Sequence, residues 1–514
     1  MTPPPSFDSA VLYSNADNTI FIIDTPQSIA LAQRLSMHSV VQDHSVTRRS
    51  HRRTLRSTAP LERPYGSTEP KSLAARAKVL EKIPLSEQRY HGEFIQPAIL
   101  SALRAISAER DGSECRWCLP RILCDGQAQE VGQQHSRTVC SDDRVNLLNL
   151  KRRRKGSCYD GADSTDVECH DSTRPKPPVI LSSTSQNVFH SLDELGGCIV
   201  KNYSAEPSVL VIETLSNTHE SLTYTIPPLS SFTICTLPLS PPKGPEPSHQ
   251  VTSLSHPIPT IPPDQKFNML LFDPPWPNRS VRRSGHYQIH HYSEMDILTQ
   301  RLRDILRVHS YRADIKSSNT IGCGASSQST LSLAGIWITN AEKARRAAYE
   351  ALTDTGFRVT EEWIWIKTTV GGEPVSAIDG LWRKPYEILV IGRADQVTSS
   401  SDSGPAKDGG SVEATTTNSH DLLGIDPSTI HRRVITAVPD LHSRKPNLKE
   451  ILDRVFFPGA DGAYRGQEYT ALEVFARNLT AGWWSCGNEV LKFNQREFWA
   501  EECDSGTNSP INAE

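Results

Sequence analysis

The stretch that decides the fold reads MLLFDPPW and runs from Met269 to Trp276. A short apolar run bounded by a proline turn is typical of a buried strand, so we predict a strand over residues 269–272. Asp273 then lies at the carboxyl end of that strand. Because ligands in open α/β sheets bind beyond the carboxyl ends of the strands, this turn is a candidate ligand site.

The residues of this turn suit a flat base that carries an amino group. The carboxylate of Asp273 can accept a hydrogen bond from the amine, while Pro274 and Pro275 stiffen the turn and leave carbonyl groups free to accept. Trp276 offers an aromatic face for stacking. This pattern is typical of amino-group methyltransferases that use S-adenosylmethionine, and it makes these four residues the candidate catalytic set. The alternative is an ordinary proline-rich turn, since the chain holds 36 prolines.

Composition excludes several classes of protein. The formal net charge of −4 rules out a bulk polycation, so any nucleic-acid surface must be a local patch. The apolar fraction of 37% is low for a fully folded chain and indicates disordered segments beside folded cores. The start of the chain lacks the pattern of a secretory signal, and no apolar stretch reaches the roughly 20 residues that span a bilayer. Eleven cysteines in such a chain are expected to be reduced thiols, which favours the nucleus or the cytosol.

The 514 residues are predicted to form several domains. In chain order we expect an N-terminal α+β domain (1–107), a disordered basic and Ser-rich linker (108–176), a β-rich middle domain (177–262), an α/β domain (263–499) and a flexible tail (500–514). Strand and helix patterns alternate in the α/β domain, which predicts a mostly parallel sheet with helices on both faces. One predicted helix begins after Asn340 and ends at Gly356, and polar loop insertions are expected at about 312–330 and 395–430.

A second predicted strand, over residues 471–475, ends in Arg477 and Asn478, and Asn488 and Glu489 follow about ten residues later. Amide and carboxylate groups of this kind are suitable partners for ribose hydroxyls and an adenosine. Lys445, just before a helix opened by Pro446, can reach the carboxylate of a cofactor. Each of these turns, taken alone, is more often an ordinary solvated turn.

Together these segments resemble the MT-A70 family of N6-adenine methyltransferases, and most closely its methyltransferase-like protein 4 branch. The resemblance rests on DPPW followed by PNRSVRRS and HY, and it continues through Trp337 to Asn340, Trp365 to Lys367, Lys384 to Glu387, His442 to Pro446, Leu472 to Asn478 and Gly482 to Phe493. It covers most of 266–499 apart from the two insertions. The family implies a Rossmann-like methyltransferase sheet in which the catalytic motif precedes the cofactor strand, a permuted order.

The resemblance also implies a role for individual residues. Asp273 and the carbonyl of Pro274 would hold the adenine amino group, and Trp276 would line the base pocket. The cofactor S-adenosylmethionine would be bound by Lys445, Glu473, Phe475, Arg477, Asn478, Asn488 and Glu489. The nucleic acid would be bound by Asn278, Arg279, Arg282, Arg283, Tyr287, Lys367, Lys384 and Glu387. The chain lacks a Gly-rich cofactor loop, so the cofactor prediction depends on the two polar strand ends.

Several alternatives stay open at this point. The substrate implied by the branch is RNA, with small nuclear RNA as one candidate, but DNA presents the same amino edge, and a non-catalytic nucleic-acid-binding subunit could keep the fold. No obligate catalytic partner is expected. Five consecutive basic residues, Lys151 to Lys155, fit a nuclear import signal or an RNA-binding tract, and they favour the nucleus over the cytoplasm. The irregular spacing of Cys115, Cys118, Cys124 and Cys140 only weakly suggests zinc, and no metal is predicted.

Overall fold

The computed structural model describes eleven stretches of the chain. They are residues 8–35, 53–109, 117–124, 176–213, 221–237, 256–277, 293–311, 332–395, 425–441, 444–458 and 469–501. Most of the predicted linker at 108–176 and most of both predicted loop insertions lie outside these stretches. The basic run from Lys151 to Lys155 also lies outside them. The linker, the two loop insertions and the import signal therefore stay predictions.

The strands come from every part of the described chain. In the first half they are β1 (Val11–Ser14), β2 (Ile20–Ile23), β3 (Arg53–Ser57), β4 (Ile122–Leu123), β5 (Val179–Ile180), β6 (Gln186–Phe189), β7 (Val200–Lys201), β8 (Ser208–Glu213), β9 (Ser221–Ile226) and β10 (Ser231–Ile234). In the second half they are β11 (Met269–Phe272), β12 (Leu333–Ile338), β13 (Phe357–Lys367), β14 (Tyr386–Ala394), β15 (His431–Ala437), β16 (Ala471–Val474), β17 (Trp484–Gly487) and β18 (Trp499–Glu501).

The α-helices of the described residues are α1 (Thr25–Ala32), α2 (Leu73–Leu80), α3 (Leu85–Arg89), α4 (Gln96–Glu109), α5 (Ser293–His309), α6 (Glu342–Thr353) and α7 (Lys449–Phe456). A π-helical turn, Tyr90–Ile95, joins α3 to α4. None of the described helices is long and apolar enough to cross a membrane. Helix α6 ends as predicted before Gly356, whose φ of +74° lies in the left-handed region that glycine favours.

The predicted α/β sheet is confirmed and is larger than the α/β segment alone. Twelve strands pair in the order β1-β2-β15-β13-β14-β12-β11-β16-β17-β10-β7-β5. The apolar strand β11 lies inside this sheet, parallel to both β12 and β16. The sheet is mixed rather than purely parallel, because β14 runs antiparallel to both of its neighbours. Parallel pairing brings the carboxyl ends of β11, β12 and β16 to one edge.

Helices cover both faces of the sheet, and the pleat of β11 shows why. Leu270 and Phe272 point to the face covered by α4, α5 and α6, where they join one apolar core. Met269 and Leu271 point to the opposite face, in a second core that includes residues of α7. All four side chains of β11 are buried. An uninterrupted apolar run is therefore what this position requires.

Strands from the predicted N-terminal and middle domains join the same sheet. Strand β2 pairs in parallel with β15, and β10 pairs in parallel with β17. The remaining described strands form two smaller sheets, in the orders β18-β3-β4 and β6-β8-β9. The division of the chain into domains stays a prediction, but the three segments share backbone hydrogen bonds and act as one scaffold around the central edge.

Candidate active site

The DPPW turn leaves β11 at the carboxyl edge of the sheet. The backbone N–H of Asp273 donates to the carbonyl of Val474 at 3.2 Å, which continues the pairing with β16 by one residue. The N–H of Trp276 donates to the Pro274 carbonyl at 2.8 Å, and its indole N–H donates to the Trp337 carbonyl at 2.6 Å. The turn is therefore folded back onto the end of β12. Its direction places the Asp273 carboxylate at the edge of the sheet.

Trp276 is mostly enclosed by the core. Its side chain is 6% exposed and packs in the core together with Leu270 and Phe272. In this structure it anchors the turn and offers little free aromatic face. The Pro274 carbonyl already accepts one hydrogen bond, although a carbonyl oxygen can accept two. The base-pocket roles of these two residues stay predictions.

Four charged side chains form a continuous chain of ion pairs that begins at Asp273. The ammonium group of Lys445 lies 3.0 Å and 3.3 Å from the two carboxylate oxygens of Asp273. The same ammonium lies 3.0 Å from Glu387, and Lys367 donates to the other oxygen of Glu387 at 2.7 Å. All four side chains are 17–30% exposed. We call Asp273, Lys445, Glu387 and Lys367 the charge chain.

The charge chain shifts the ionisation of its own members. Burial opposes the charged form of Lys445, but the carboxylates of Asp273 and Glu387 overcome it and raise the pKa of that lysine above its ordinary value. Burial likewise opposes ionisation of Glu387, yet Lys445 and Lys367 lower the pKa of Glu387 to about 2. Lys445 is therefore a permanent cation at neutral pH, and Glu387 is a permanent anion.

The segment that carries Lys445 is fixed on both sides. Arg444 is 2% exposed, donates to the Arg56 carbonyl at 2.9 Å and to Asp440 at 2.7 Å, and lies over the ring of Phe493. On the other side, the Asn447 amide donates to the Thr480 hydroxyl at 2.8 Å. Two of these partners are far away in sequence. The position of the Lys445 ammonium is therefore set by tertiary contacts.

A cleft opens beside Asp273 and contains about 550 Å³ of empty space, counting the part open to solvent. Five residues predicted to bind the cofactor line it, and they are Lys445, Glu473, Phe475, Arg477 and Asn478. Its other lining residues are Asp273, Leu271, Trp337, Arg444, Pro446, Asn447, Leu448, Trp483 and Phe493. The cleft thus combines a cation, carboxylates and an amide with apolar walls.

Glu473 is the unusual carboxylate of the cleft. It lies on β16 opposite Leu271 of β11, at the register that brings it beside Asp273. Burial, and then the negative charge of Asp273, raise the pKa of Glu473 to about 8. At neutral pH the Glu473 carboxyl is therefore mostly protonated and can donate a hydrogen bond as well as accept one.

The chain turns sharply after β16. Phe475 has a φ of +63°, which is uncommon for a bulky residue and marks a constrained backbone. Constrained conformations of this kind cluster at ligand sites. The turn brings Arg477 to Glu489, with the guanidinium Nε 3.1 Å from the carboxylate, and Lys492 lies 3.4 Å from the same carboxylate. Glu489 therefore shapes the wall of the cleft through Arg477.

The structure does not bring every predicted site residue to the cleft. Asn488 is exposed and is absent from the described lining of the cleft. The Lys384 ammonium donates to the Gly380 carbonyl at 3.3 Å, and burial lowers the pKa of Lys384. Lys367 and Glu387 belong to the charge chain rather than to an open substrate surface. Five predicted nucleic-acid contacts lie outside the described residues, and they are Asn278, Arg279, Arg282, Arg283 and Tyr287.

Sequence reasoning missed several walls of the cleft. Trp337 is the last but one residue of β12, and the Lys445 ammonium lies 5.4 Å from the centre of its ring. Trp483, Phe493 and Asn447 also line the cleft. A usable signal existed for Trp337, because it lies in one of the segments on which the family resemblance rests. The other three come from loops whose folding depends on distant contacts.

Metal binding finds no support in the described part of the chain. No group of three or more His, Cys, Asp or Glu side chains there is arranged to hold a metal ion. Cys118 and Cys124 are described, whereas Cys115 and Cys140 lie outside the described residues. The weak suggestion of a zinc site at these cysteines stays untested.

Comparison with known proteins matches the region that builds the site. Residues 267–489 match the family model described as MT-A70. Over 242 residues the chain is 35% identical to the N6-methyladenosine RNA methyltransferase MTA1 of Cryphonectria parasitica, covering 46% of this chain and 55% of the relative. It is 30% identical over 312 residues to the protein of the same name from Pyricularia oryzae, covering 59% and 64%.

A second group of relatives includes a human protein. Over 262 residues the chain is 31% identical to human N(6)-adenine-specific methyltransferase METTL4, covering 51% of this chain and 44% of the human protein. The chain thus spans between about two fifths and two thirds of the relatives it matches. The similarity includes the strands and turns that carry Asp273, Lys445 and Glu473, because these residues lie within 267–489.

Proposed function

We propose, from the match of residues 267–489 to the MT-A70 family model, that this chain is a methyltransferase of that family and methylates the N6 amino group of adenine in nucleic acid. The observation that carries the proposal is the position of Asp273. Its carboxylate stands at the carboxyl edge of β11, borders the cleft and is held by Lys445. An oriented acceptor at the edge of a polar cleft suits an amino-group substrate.

The cleft fits S-adenosylmethionine, which would supply an electrophilic methyl group. The permanent cation of Lys445 and the guanidinium of Arg477 suit a carboxylate, and the protonated Glu473 and the amide of Asn478 suit hydroxyls and ring nitrogens. Phe475, Trp483 and Phe493 supply apolar walls for a flat base.

The residues of this chain contribute positioning more than acid–base chemistry. A carboxylate offers about four lone-pair sites, so Asp273 keeps room for an amine hydrogen while Lys445 holds both of its oxygens. Glu387 holds Lys445 in turn, and Lys367 holds Glu387, which fixes the direction of the Asp273 carboxylate. An acceptor oriented before the reaction lowers the barrier through position and electrostatics.

RNA is the substrate we propose first, since two relatives bear the name N6-methyladenosine RNA methyltransferase. Small nuclear RNA is the candidate that the methyltransferase-like protein 4 branch suggests. DNA is the alternative, because the relative named METTL4 is called N(6)-adenine-specific without a stated polymer. A non-catalytic nucleic-acid-binding subunit is the alternative from another class. The presence of both Asp273 and its Lys445 partner supports an active enzyme over such a subunit.

The test is methyl transfer by the purified chain with labelled S-adenosylmethionine and separate RNA and DNA pools. We expect label in the RNA pool, recovered as N6-methyladenosine after digestion. Asp273→Asn should lower the rate by about 10²–10³ while leaving S-adenosylhomocysteine binding intact, by analogy with the loss of one oriented group in an oxyanion hole. Asp264→Asn, at an exposed position just before β11, is the matched control and should keep full activity.

The outcomes separate the alternatives. Label in the DNA pool alone would mean that the substrate is DNA and not RNA. Nucleic-acid binding without transfer to either pool would favour the non-catalytic subunit, and full activity of Asp273→Asn would remove Asp273 from the mechanism. Because the assay contains one purified chain, activity would also support function without an obligate catalytic partner.

We also propose that the protein works in the nucleus. The support is the run of five basic residues, Lys151 to Lys155, which suits an import receptor. A fluorescent fusion should accumulate in nuclei, and replacing all five residues by glutamine should shift it to the cytoplasm. An unchanged distribution would mean that this run is not the import signal.

A further inference from the structure

The loop between β13 and β14 reaches the edge where Asp273 lies. Strand β13 ends at Lys367 and β14 begins at Tyr386, so the intervening loop, residues 368–385, leaves the sheet beside the charge chain. Since Ile338 at the end of β12 pairs with Ile388 near the start of β14, this loop and the DPPW turn share the carboxyl edge. At the far part of this loop, Trp382 is 56% exposed and is followed by the exposed Arg383.

The N-terminal part of the chain holds this loop in one shape. The carboxylate of Glu69 accepts from the backbone N–H of Leu381 at 2.9 Å and of Trp382 at 3.2 Å. Arg76 forms an ion pair with Asp379 at 2.8 Å. The Trp382 side chain is therefore presented from a fixed backbone.

Gly380 adds to this fixation. A Cβ atom at position 380 would lie 2.5 Å from the Arg383 carbonyl oxygen and 3.3 Å from the Glu69 carboxylate. Contacts this short exclude any larger residue without movement of the backbone. The loop thus folds tightly around its own carbonyl groups, and it leaves Trp382 and Arg383 exposed.

An indole on a fixed surface loop next to a guanidinium is a combination that binds single-stranded nucleic acid. Aromatic side chains stack on unpaired bases, and arginine neutralises the neighbouring phosphate. Trp382 is five residues from Glu387, and a chain of that length spans at most roughly 18 Å. A platform at this distance from the charge chain lies within reach of a strand whose target base enters the cleft.

We propose that Trp382 and Arg383 form a docking platform for the single strand that flanks the target adenine, with Trp382 stacking on a base and Arg383 contacting a phosphate. The proposal rests on the proposed substrate class but not on methyl transfer itself. Glu69 and Gly380 are positioning residues, since they fix the loop and do not contact the strand. The N-terminal segment thereby contributes to substrate binding through the shape of this loop.

The test measures binding directly, by fluorescence anisotropy of labelled 12-nucleotide single strands of RNA and DNA with one central adenine. Trp382→Ala should weaken binding of the single strand at least about 5-fold, and Trp382→Phe should restore most of it because phenylalanine still stacks. Tyr203→Ala is the matched control, since Tyr203 is 61% exposed in the middle segment of the chain, and it should bind like wild type. Binding of S-adenosylhomocysteine should be the same in all variants.

Salt dependence separates the two roles. Arg383→Gln should make the plot of log affinity against log salt shallower by about 0.7, the value for one phosphate of a single strand, whereas Trp382→Ala should leave the slope unchanged. Equal affinity of wild type and Trp382→Ala would overturn the proposal, as would a loss that Trp382→Phe does not restore. A change in molecular mass of Trp382→Ala by light scattering, with unchanged oligonucleotide affinity, would instead make Trp382 a protein contact. If the wild-type chain binds the strands through Trp382 but does not methylate them, the proposed enzymatic activity would be wrong and the docking platform would still be supported.

Discussion

Two carboxylates of the site have pKa values shifted in opposite directions. Glu387 lies between two ammonium groups, which stabilise its charged form more than burial penalises it. Glu473 has a carboxylate rather than a cation beside it, so burial and Asp273 act together against ionisation. One side chain is thus a fixed anion in the charge chain, and the other is a neutral acid in the cleft. This contrast predicts opposite pH dependences for the stability of the fold.

Glu387 should stabilise the fold at neutral pH and lose this contribution in acid. Its pKa is about 2 in the folded chain and about 4.5 when unfolded, so its contribution is complete above about pH 5 and declines as pH falls. The full effect is on the order of 3 kcal/mol, at 1.36 kcal/mol per pKa unit. We expect Glu387→Gln to lower the melting temperature at pH 7 and to narrow its difference from wild type by pH 3.5. Glu373→Gln, at an exposed position in the neighbouring loop, should follow wild type throughout.

Glu473 should have the opposite effect, so that the fold becomes less stable as the pH rises. Its folded pKa of about 8 lies above the unfolded value of about 4.5, so folding binds a proton in this range and the unfolding free energy falls as pH rises. Glu473→Gln keeps the shape and removes the titration. We would measure the unfolding free energy of both proteins with denaturant at pH 5.5 and pH 8.5. The value for Glu473→Gln minus the value for wild type should be roughly 2–3 kcal/mol larger at pH 8.5 than at pH 5.5. A constant difference between the two proteins would mean that Glu473 titrates normally.

At the scale of elements, a buried polar cluster connects the helices after residue 85 to the central sheet. Glu362 of β13 is fully buried and accepts from Tyr90 at 2.5 Å, from Tyr349 of α6 at 2.8 Å and from Arg432 of β15 at 3.0 Å. Tyr90 opens the π-helical turn between α3 and α4. Next to it, His91 contacts the hydroxyl of Tyr386, the residue before Glu387, at 3.0 Å. The helices are therefore joined to the strand that carries part of the charge chain.

Removing one donor from this cluster should be costly, because a buried carboxylate that loses a hydrogen bond keeps its desolvation penalty. We expect Tyr90→Phe to destabilise the fold by about 1–3 kcal/mol in denaturant unfolding. Tyr65→Phe is the matched control, because Tyr65 is 61% exposed, and it should cost almost nothing. In the double variant Tyr90→Phe/Tyr349→Phe the two costs should not add, since both hydroxyls serve one carboxylate. Strict additivity would show that the two tyrosines act independently.

The elements near the motif could be predicted from sequence, whereas their partners could not. The apolar run before Asp273 predicted β11, because the burial of a strand depends on the pattern of its own residues. Asn340 illustrates the limit. It was predicted to cap α6, but its amide instead donates to the Tyr386 carbonyl at 2.5 Å, and Ala341 occupies the cap position. Another long-range contact brings Lys445 to Asp273, 172 positions away, and no local sequence pattern predicts it.

The start of α7 shows a smaller limit of the same kind. Pro446 was predicted to open this helix, but the helix begins at Lys449. The Asn447 amide oxygen accepts from the Lys449 backbone N–H at 2.9 Å and satisfies one donor at the helix start. Asn447 itself is held by two tertiary contacts, because its backbone N–H donates to the Ser28 hydroxyl and its side-chain amide donates to the Thr480 hydroxyl. Because of these tertiary contacts, the helix begins at Lys449 and not at Pro446.

On the scale of the whole molecule, the central sheet combines segments that are far apart in the sequence. The N-terminal segment supplies β1 and β2 at one end of the sheet, and residues 179–234 supply β5, β7 and β10 at the other. The methyltransferase strands lie between them. Strand β3 also pairs with β18, close to the C-terminal end of the described chain. Both ends of the sheet are thus built by residues outside the segment that matches the MT-A70 model.

This arrangement predicts that the N-terminal segment stays bound after the chain is cut. A protease site inserted after Asp160 would separate β1 to β4 from all the strands that follow. The two fragments share the pairing of Ile20 with Val434 and of Leu55 with Trp499, together with the hydrogen bond from Tyr90 to Glu362. We expect them to coelute in gel filtration and to unfold together in one transition. Phe21→Asp, which places a charge at a fully buried position of β2, should release the N-terminal fragment after cutting. Separation of the unmodified fragments under native conditions would show that the shared strands contribute little to holding the scaffold around Asp273 together.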